Sequence, residues 1–235
     1  MTGRRREFKD YSHNRTSPVE IRLIECGALE EPLSAVLSWP RKLKELYYDV
    51  EQAKWCGDFE DEEPWTQWSS VPFVNALQPH KGSLKSLSFT RHVPLYNEGL
   101  DCGPPAHLAD FTSLTTLNIY HIFLTGDENE GEAWKRLPRN LEQLFVFYDD
   151  PDVYPFLGTL PYSFLMDLPR RKAEHFPKLQ RVTIKSLETL YDVDGGPLLP
   201  GPWVPPMSIR SEFERAQIKL STILGDPDGP LPGFI

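Results

Sequence analysis

An apolar residue, two polar ones, a second apolar residue and a third two places later recur along this chain as one motif. It stands as Leu84-Lys-Ser-Leu87-Ser-Phe89, Leu114-Thr-Thr-Leu117-Asn-Ile119, Leu141-Glu-Gln-Leu144-Phe-Val146 and Leu179-Gln-Arg-Val182-Thr-Ile184. Weaker copies are Leu43-Lys-Glu-Leu46-Tyr-Tyr48, which ends on an aromatic, and Pro18-Val-Glu-Ile21-Arg-Leu23, which begins on proline. The alternation within each copy is that of a strand, and a strand of this kind needs a neighbouring copy to bury its apolar row. The pattern therefore predicts an α/β fold: a leucine-rich-repeat solenoid with a curved parallel β-sheet and irregular helical or loop returns. Starting positions 18, 43, 84, 114, 141 and 179 leave intervals of 25, 41, 30, 27 and 38 residues. The longer intervals require inserted loops.

Eight residues after the start of the first copy stands Cys26, where such repeats place Asn or Cys to turn the chain off the strand. The other copies put Glu51, His92, Ile122, Asp149 and Leu187 there, so the array is degenerate.

Helical spacing marks three returns. Leu33, Val36 and Leu37 share a face between Pro32 and Pro40; Phe73, Val74 and Leu77 do so over 71–77; and Phe164, Leu165 and Leu168 do so over 163–175, where Pro169 is expected to kink or split the helix. The return between Leu117 and Leu141 is expected to be only a turn and loop. Two insertions interrupt the array: an acidic one at 57–63 flanked by Trp55, Trp65 and Trp68, and one rich in Gly and Pro at 92–108. After the last strand a Pro/Gly-rich connector precedes Ser208 to Leu224, where Ile209, Phe213, Leu220 and Leu224 predict a terminal helix that caps the open end of the stack. The expected organisation is a poorly ordered segment at 1–15, a degenerate repeat domain at 16–190, the connector at 191–206, the capping helix at 207–225 and a tail at 226–235.

In parallel strands stacked in this way the first, fourth and sixth residues face the core, and the third, fifth and seventh point outward onto the concave face. The third row reads Glu20, Glu45, Ser86, Thr116, Gln143 and Arg181; the fifth Arg22, Tyr47, Ser88, Asn118, Phe145 and Thr183; the seventh Ile24, Asp49, Thr90, Tyr120, Phe147 and Lys185. Aromatic and Arg residues anchor protein interfaces, which singles out Arg22, Tyr47, Asn118, Tyr120, Phe145, Phe147, Arg181 and Lys185 as the candidate binding surface. Tyr120, Phe145 and Phe147 form an aromatic patch that is either an interface or covered by an inserted loop such as 149–162.

Charge and composition narrow the function. The 235 residues carry a formal charge of −9 with 40% hydrophobic residues, which suits a folded domain and argues against a nucleic-acid partner. Arg4-Arg5-Arg6 is a basic run near the start of the sequence, and Asn14-Arg15-Thr16 is a chance glycosylation match. Three cysteines, Cys26, Cys56 and Cys102, make no disulfide framework and no zinc pair. No stretch is long enough for a membrane span, so a cytoplasmic or nuclear protein is expected. His13, His80, His92, His107, His121 and His175 are scattered without metal-ligand spacing, so no metal, cofactor or catalytic residues are assigned. Cys102 with Asp101 and His107 leaves a thiol-dependent hydrolase as a remote alternative.

The junctions preceding the strands add a resemblance. Pro18-Val-x-x-Ile-x-Leu-x-x-Cys26, Trp39-Pro-Arg-Lys-Leu-Lys-Glu-Leu46, Asp110-Phe-Thr-Ser-Leu-Thr-Thr-Leu117, Leu137-Pro-Arg-Asn-Leu-Glu-Gln-Leu144 and Phe176-Pro-Lys-Leu-Gln-Arg-Val182 together resemble the repeat region of filamentous-fungal F-box-like proteins over residues 16–190. The resemblance implies the substrate-binding part of a ubiquitin-ligase receptor. An F-box would need about fifty helical residues before the repeats, whereas Met1 to Ser17 is short and polar, so a Skp1-like adaptor is not an expected partner. The expected function is a non-enzymatic protein–protein interaction module acting through the concave face; the alternative is a truncated structural remnant without a ligase link.

Overall fold

The computed structural model describes residues 19–26, 30–50, 70–91, 105–125, 130–148, 163–187 and 205–225. Seven strands form one parallel sheet in sequential order: β1 (Glu20–Cys26), β2 (Glu45–Val50), β3 (Ser86–Arg91), β4 (Thr116–Tyr120), β5 (Gln143–Tyr148), β6 (Arg181–Leu187) and β7 (Lys219–Gly225). The α/β class is as expected. Six of these strands begin at the third residue of a motif copy, because the two residues before it are still coming out of the turn.

The register repeats without slip through the interior of the sheet. Leu46, Leu87, Leu117, Leu144, Val182 and Leu220 align across β2 to β7, as do Tyr48, Phe89, Ile119, Val146, Ile184 and Thr222. Every residue of the first, fourth and sixth rows from β2 to β6 is at most 1% exposed, including the motif-leading Leu43, Leu84, Leu114, Leu141 and Leu179. At about 1.5–3 kcal/mol for each fully buried large apolar side chain, these three rows are the principal stabilising force. At the ends the rows are less covered: Ile21 and Leu23 of β1 and Leu220 of β7 are half-buried.

The backbone repeats too. The carbonyls of Val19, Lys44, Lys85, Thr115 and Glu142 each accept two N–H groups from the next strand, for example from Lys85 at 2.7 Å and Ser86 at 3.0 Å onto Lys44. Side chains just before the leading leucine tie each turn to the one before it: Ser83 Oγ donates to the Leu43 carbonyl at 2.9 Å, Ser113 Oγ to Gly82 at 2.8 Å and Asn140 Nδ2 to Thr112 at 2.7 Å.

Returns pack against the inward face in a single apolar cluster. They are α1 (Glu30–Ser38), α2 (Ser70–Leu77) with a 3₁₀ turn at Gln78–His80, α3 (His121–Thr125), a 3₁₀ segment at Glu130–Arg136, α4 (Ser163–His175) and α5 (Met207–Arg215). An aromatic column crosses from return to strand: Tyr48 to Phe73 at 5.1 Å, Phe73 to Phe89 at 4.6 Å and Phe89 to Phe123 at 4.4 Å between ring centroids. Such stacked pairs add about 0.5–1.5 kcal/mol each beyond the area they bury.

Three expectations are corrected. The helix expected over 208–224 ends at Arg215, and Lys219–Gly225 is instead the seventh strand, so α5 is a return and does not cap the sheet. The return between Leu117 and Leu141 holds α3 and the 3₁₀ segment, which the side chain of Arg136 joins by donating from Nη1 to the carbonyls of Leu124 at 2.6 Å and Thr125 at 3.3 Å. Pro169 does not split α4: it is buried beside Leu165 and Leu168, whose burial outweighs the one lost backbone bond. The acidic insertion with its three tryptophans, the segment 149–162, the tail and the N-terminal segment lie outside the described residues.

Candidate functional site

The outward face is built by register. Its third row runs Glu20, Glu45, Ser86, Thr116, Gln143, Arg181 and Lys219, and its fifth row Arg22, Tyr47, Ser88, Asn118, Phe145, Thr183 and Ser221. The seventh row holds Tyr120, Phe147, Lys185 and Ile223 as successive partners. At β1 it is broken, because a bulge between Leu23 and Cys26 shifts the pairing past Ile24.

Position in a row does not decide exposure. Arg22 and Arg181 are exposed, and Tyr47, Phe145 and Lys185 are half-buried. Asn118, Tyr120 and Phe147, by contrast, retain only 3%, 8% and 7% of their exposure. Of the three rings of the aromatic patch, for which interface and internal cover were both open, Tyr120 and Phe147 are thus covered. Tyr120 packs on Phe147 at 5.3 Å and edge-on to Phe123 of α3 at 6.0 Å, which joins this row to the aromatic column of the core. The Lys185 ammonium lies 5.5 Å from the centre of the Phe147 ring, within cation–π range.

Between the aromatic and acidic ends lies a buried polar patch. Asp49, Ser88 and Asn118 are all at most 4% exposed, and Thr183, beyond the aromatic rings on β6, is 5% exposed. The Ser88 hydroxyl and the Asn118 carbonyl oxygen, adjacent in the register, make no hydrogen bond with any described residue. A buried polar atom without a partner costs about 1–3 kcal/mol.

The charges of the third row change sign from end to end. Glu20 and Glu45 face each other across β1 and β2, and Arg181 and Lys219 across β6 and β7; all four are exposed. Arg22 Nε donates to Glu20 Oε1 at 2.6 Å, an exposed pair worth about 0–1 kcal/mol. No ion pair links Arg181 or Lys219 to a described carboxylate.

Elsewhere the chemistry is structural. His80 is buried with Nε2 hydrogen-bonded to the Leu37 carbonyl at 2.7 Å, and His121 is buried 5.9 Å from the Phe164 ring. His175 and Arg171 of α4 lie 4.4 and 4.7 Å from the Trp134 ring, which pins the 3₁₀ segment to that helix. In the same segment, hydrogen bonding to Lys135 and its charge hold the Glu132 carboxyl below the usual range, while burial lowers the Arg136 guanidinium from its ordinary value.

A cleft of about 180 Å³ lies between α2 and residues 105–110, lined by Asn75, His107 and Asp110 among others. It is smaller than the pockets that enclose small molecules, which run from about 300 to 1,000 Å³. His107 is exposed there, while Cys102 lies outside the described residues. No group of three His, Cys, Asp or Glu is arranged to hold a metal ion among the described residues. No helix among them is long and apolar enough to cross a membrane.

No protein-family model, curated protein or solved structure matches this chain.

Proposed function

We propose that this chain is a non-enzymatic protein–protein interaction module of the cytoplasm or nucleus, built as a leucine-rich-repeat solenoid that binds its partner on the outward face of the sheet. One observation carries the reading: seven parallel strands align their outward side chains in rows, and the third row is exposed at both ends, at Glu20 and Glu45 and at Arg181 and Lys219, while the centre of the fifth row is buried at Ser88 and Asn118. A rigid sheet holds such rows at fixed spacing without further ordering cost, which favours recognition of an extended surface. The junction motifs support a likeness to the substrate-binding region of an F-box-type receptor. The exposed side chains available for contact are Glu20, Arg22, Glu45, Arg181 and Lys219, with half-buried Tyr47, Phe145 and Lys185.

The test is affinity capture from cell extract with the intact chain, a Tyr47→Ser/Phe145→Ser variant, and an Arg22→Glu/Glu45→Arg variant that alters exposed side chains alone. Met207→Ser on α5, where Met207 is 70% exposed, is the control away from the sheet. A partner retained by the control and lost from either sheet variant, with thermal unfolding unchanged, supports the reading. Retention by every variant refutes it. The burial of Asn118, Tyr120 and Phe147 favours a second reading, a structural remnant whose outward aromatics serve packing alone; it predicts the same background proteins from all four chains.

A further inference from the structure

We infer that the β6–β7 end of the outward face takes an acidic polypeptide segment of the partner protein, held by Arg181, Lys185 and Lys219 beside Phe145. The inference rests on the binding role proposed above for that face.

Arg181 and Lys219 are direct partners in the parallel register and are both exposed. Like charges directly opposite each other destabilise a sheet. At the other end of the row the equivalent Glu20–Glu45 pair has Arg22 bonded to it at 2.6 Å. The cationic pair has no such relief from a described carboxylate, although the chain as a whole carries a charge of −9. An anionic ligand supplies the missing compensation.

Geometry selects the form of that ligand. Lys185 follows Arg181 by four residues on the same side of β6, a separation of about 13 Å at the strand rise. An extended peptide with carboxylates four residues apart spans the same length. Phe145 pairs with Thr183 on the neighbouring strand and is half-buried, so it offers a partly open aromatic surface beside the cations. Lys185 is already oriented by the Phe147 ring at 5.5 Å, which reduces the ordering cost of using it. The acidic far end of the row repels the same segment and confines it to β5–β7. Three cations in an acidic chain are few for a nucleic-acid backbone, where affinity comes from many neutralised phosphates.

The test is fluorescence anisotropy with a labelled twelve-residue peptide in which Glu alternates with Ser and Leu, against the full chain. Saturable binding is expected, weakened at least about tenfold by raising the salt from about 0.05 to 0.3 M. Arg181→Glu/Lys219→Glu should weaken it at least about tenfold, whereas Lys42→Glu/Lys81→Glu, the same charge change on exposed turns, should leave it within about twofold. Equal loss in both double variants, equal binding of the Gln-for-Glu peptide, no saturable binding, or tighter binding of a single-stranded oligonucleotide each overturns the inference. The two proposals fail differently: a partner captured through Tyr47 and Phe145 but retained by Arg181→Glu/Lys219→Glu keeps the binding face and removes its acidic ligand.

Discussion

Replacing Gln217 by glycine should stabilise the protein, and the reason lies in how α5 gives way to β7. Gln217 has φ 54°, the one positive value for a non-glycine residue among those described. The Ile218 N–H bonds the Phe213 carbonyl at 2.9 Å and the Gln217 N–H bonds the Glu214 carbonyl at 2.9 Å. These are the two hydrogen bonds of a Schellman helix end, and buried Ile218 against buried Phe213 is the apolar contact that goes with it. Glycine is the usual residue at the left-handed position, because any other side chain crowds the following carbonyl at a cost of roughly 1–2 kcal/mol. Glycine gives back about 0.5–1 kcal/mol through the greater freedom of the unfolded chain. The difference leaves Gln217→Gly more stable by about 0.5–1 kcal/mol, or roughly 1–4 °C in Tm for a protein of this size.

Urea unfolding followed by circular dichroism measures this directly, with the dependence on urea unchanged if only the turn is affected. Gln217→Val should move the other way by at least about 1 kcal/mol, since a β-branched residue tolerates the left-handed region poorly. The Lys172 ammonium, which donates to the Ala216 and Gln217 carbonyls at 2.8 and 3.1 Å, is untouched by either change. A glycine variant less stable than the parent, or a valine variant equal to it, would refute the left-handed turn and with it the placement of β7 directly after α5.

Three further outcomes follow from the packing. Leu117→Ala in the middle of the fully buried inward row should cost about 2–5 kcal/mol by urea unfolding, and Leu220→Ala on the half-covered last strand clearly less. Ser88→Ala removes a buried hydroxyl that bonds no described residue, so it should leave stability unchanged or raise it by up to about 1 kcal/mol; a loss above about 1 kcal/mol would reveal a partner for that hydroxyl. Arg136→Met keeps much of the side-chain volume but removes the donors to Leu124 and Thr125, and should cost about 1.5–3 kcal/mol with faster amide hydrogen exchange in α3 as its local signature.

Six strands were legible in the sequence because their apolar rows are dictated by the core, where Leu at the first and fourth positions leaves little choice. The seventh was hidden by the same rule. Its rung puts Gln217 in the first position and Thr222 in the sixth, residues acceptable only because an end strand covers one neighbour instead of two. α3 was missed because its ends are polar: His121 and Thr125 are buried, and the Thr125 hydroxyl satisfies itself on the His121 carbonyl at 3.1 Å. The polar residue before the leading leucine in Ser83, Ser113 and Asn140 was a readable signal for the turn-to-turn bonds that sequence reasoning passed over. At the candidate site, strand alternation placed each side chain in its row, while burial depended on what packs above the row, which no local pattern encodes.

That distinction changes where recognition energy can come from. Had Tyr120 and Phe147 been open, an apolar anchor in the middle of the face would have dominated, as aromatic residues do in interface centres. Their burial leaves the exposed chemistry at the two row ends, acidic with Arg22 and half-buried Tyr47 at β1–β2, basic with half-buried Phe145 at β5–β7. Charges disposed in this way contribute less to affinity than to orientation and encounter rate. A partner lying across the strands can then satisfy both ends in one direction, because reversal sets like charge against like at each. The parallel, sequential strand order fixes that direction, since each rung keeps the third position of its neighbour at the same height. On the proposed binding role, the direction in which a partner lies across the strands is therefore a consequence of the repeat register, and the residues that set it are Glu20, Glu45, Arg181 and Lys219 rather than the aromatic row.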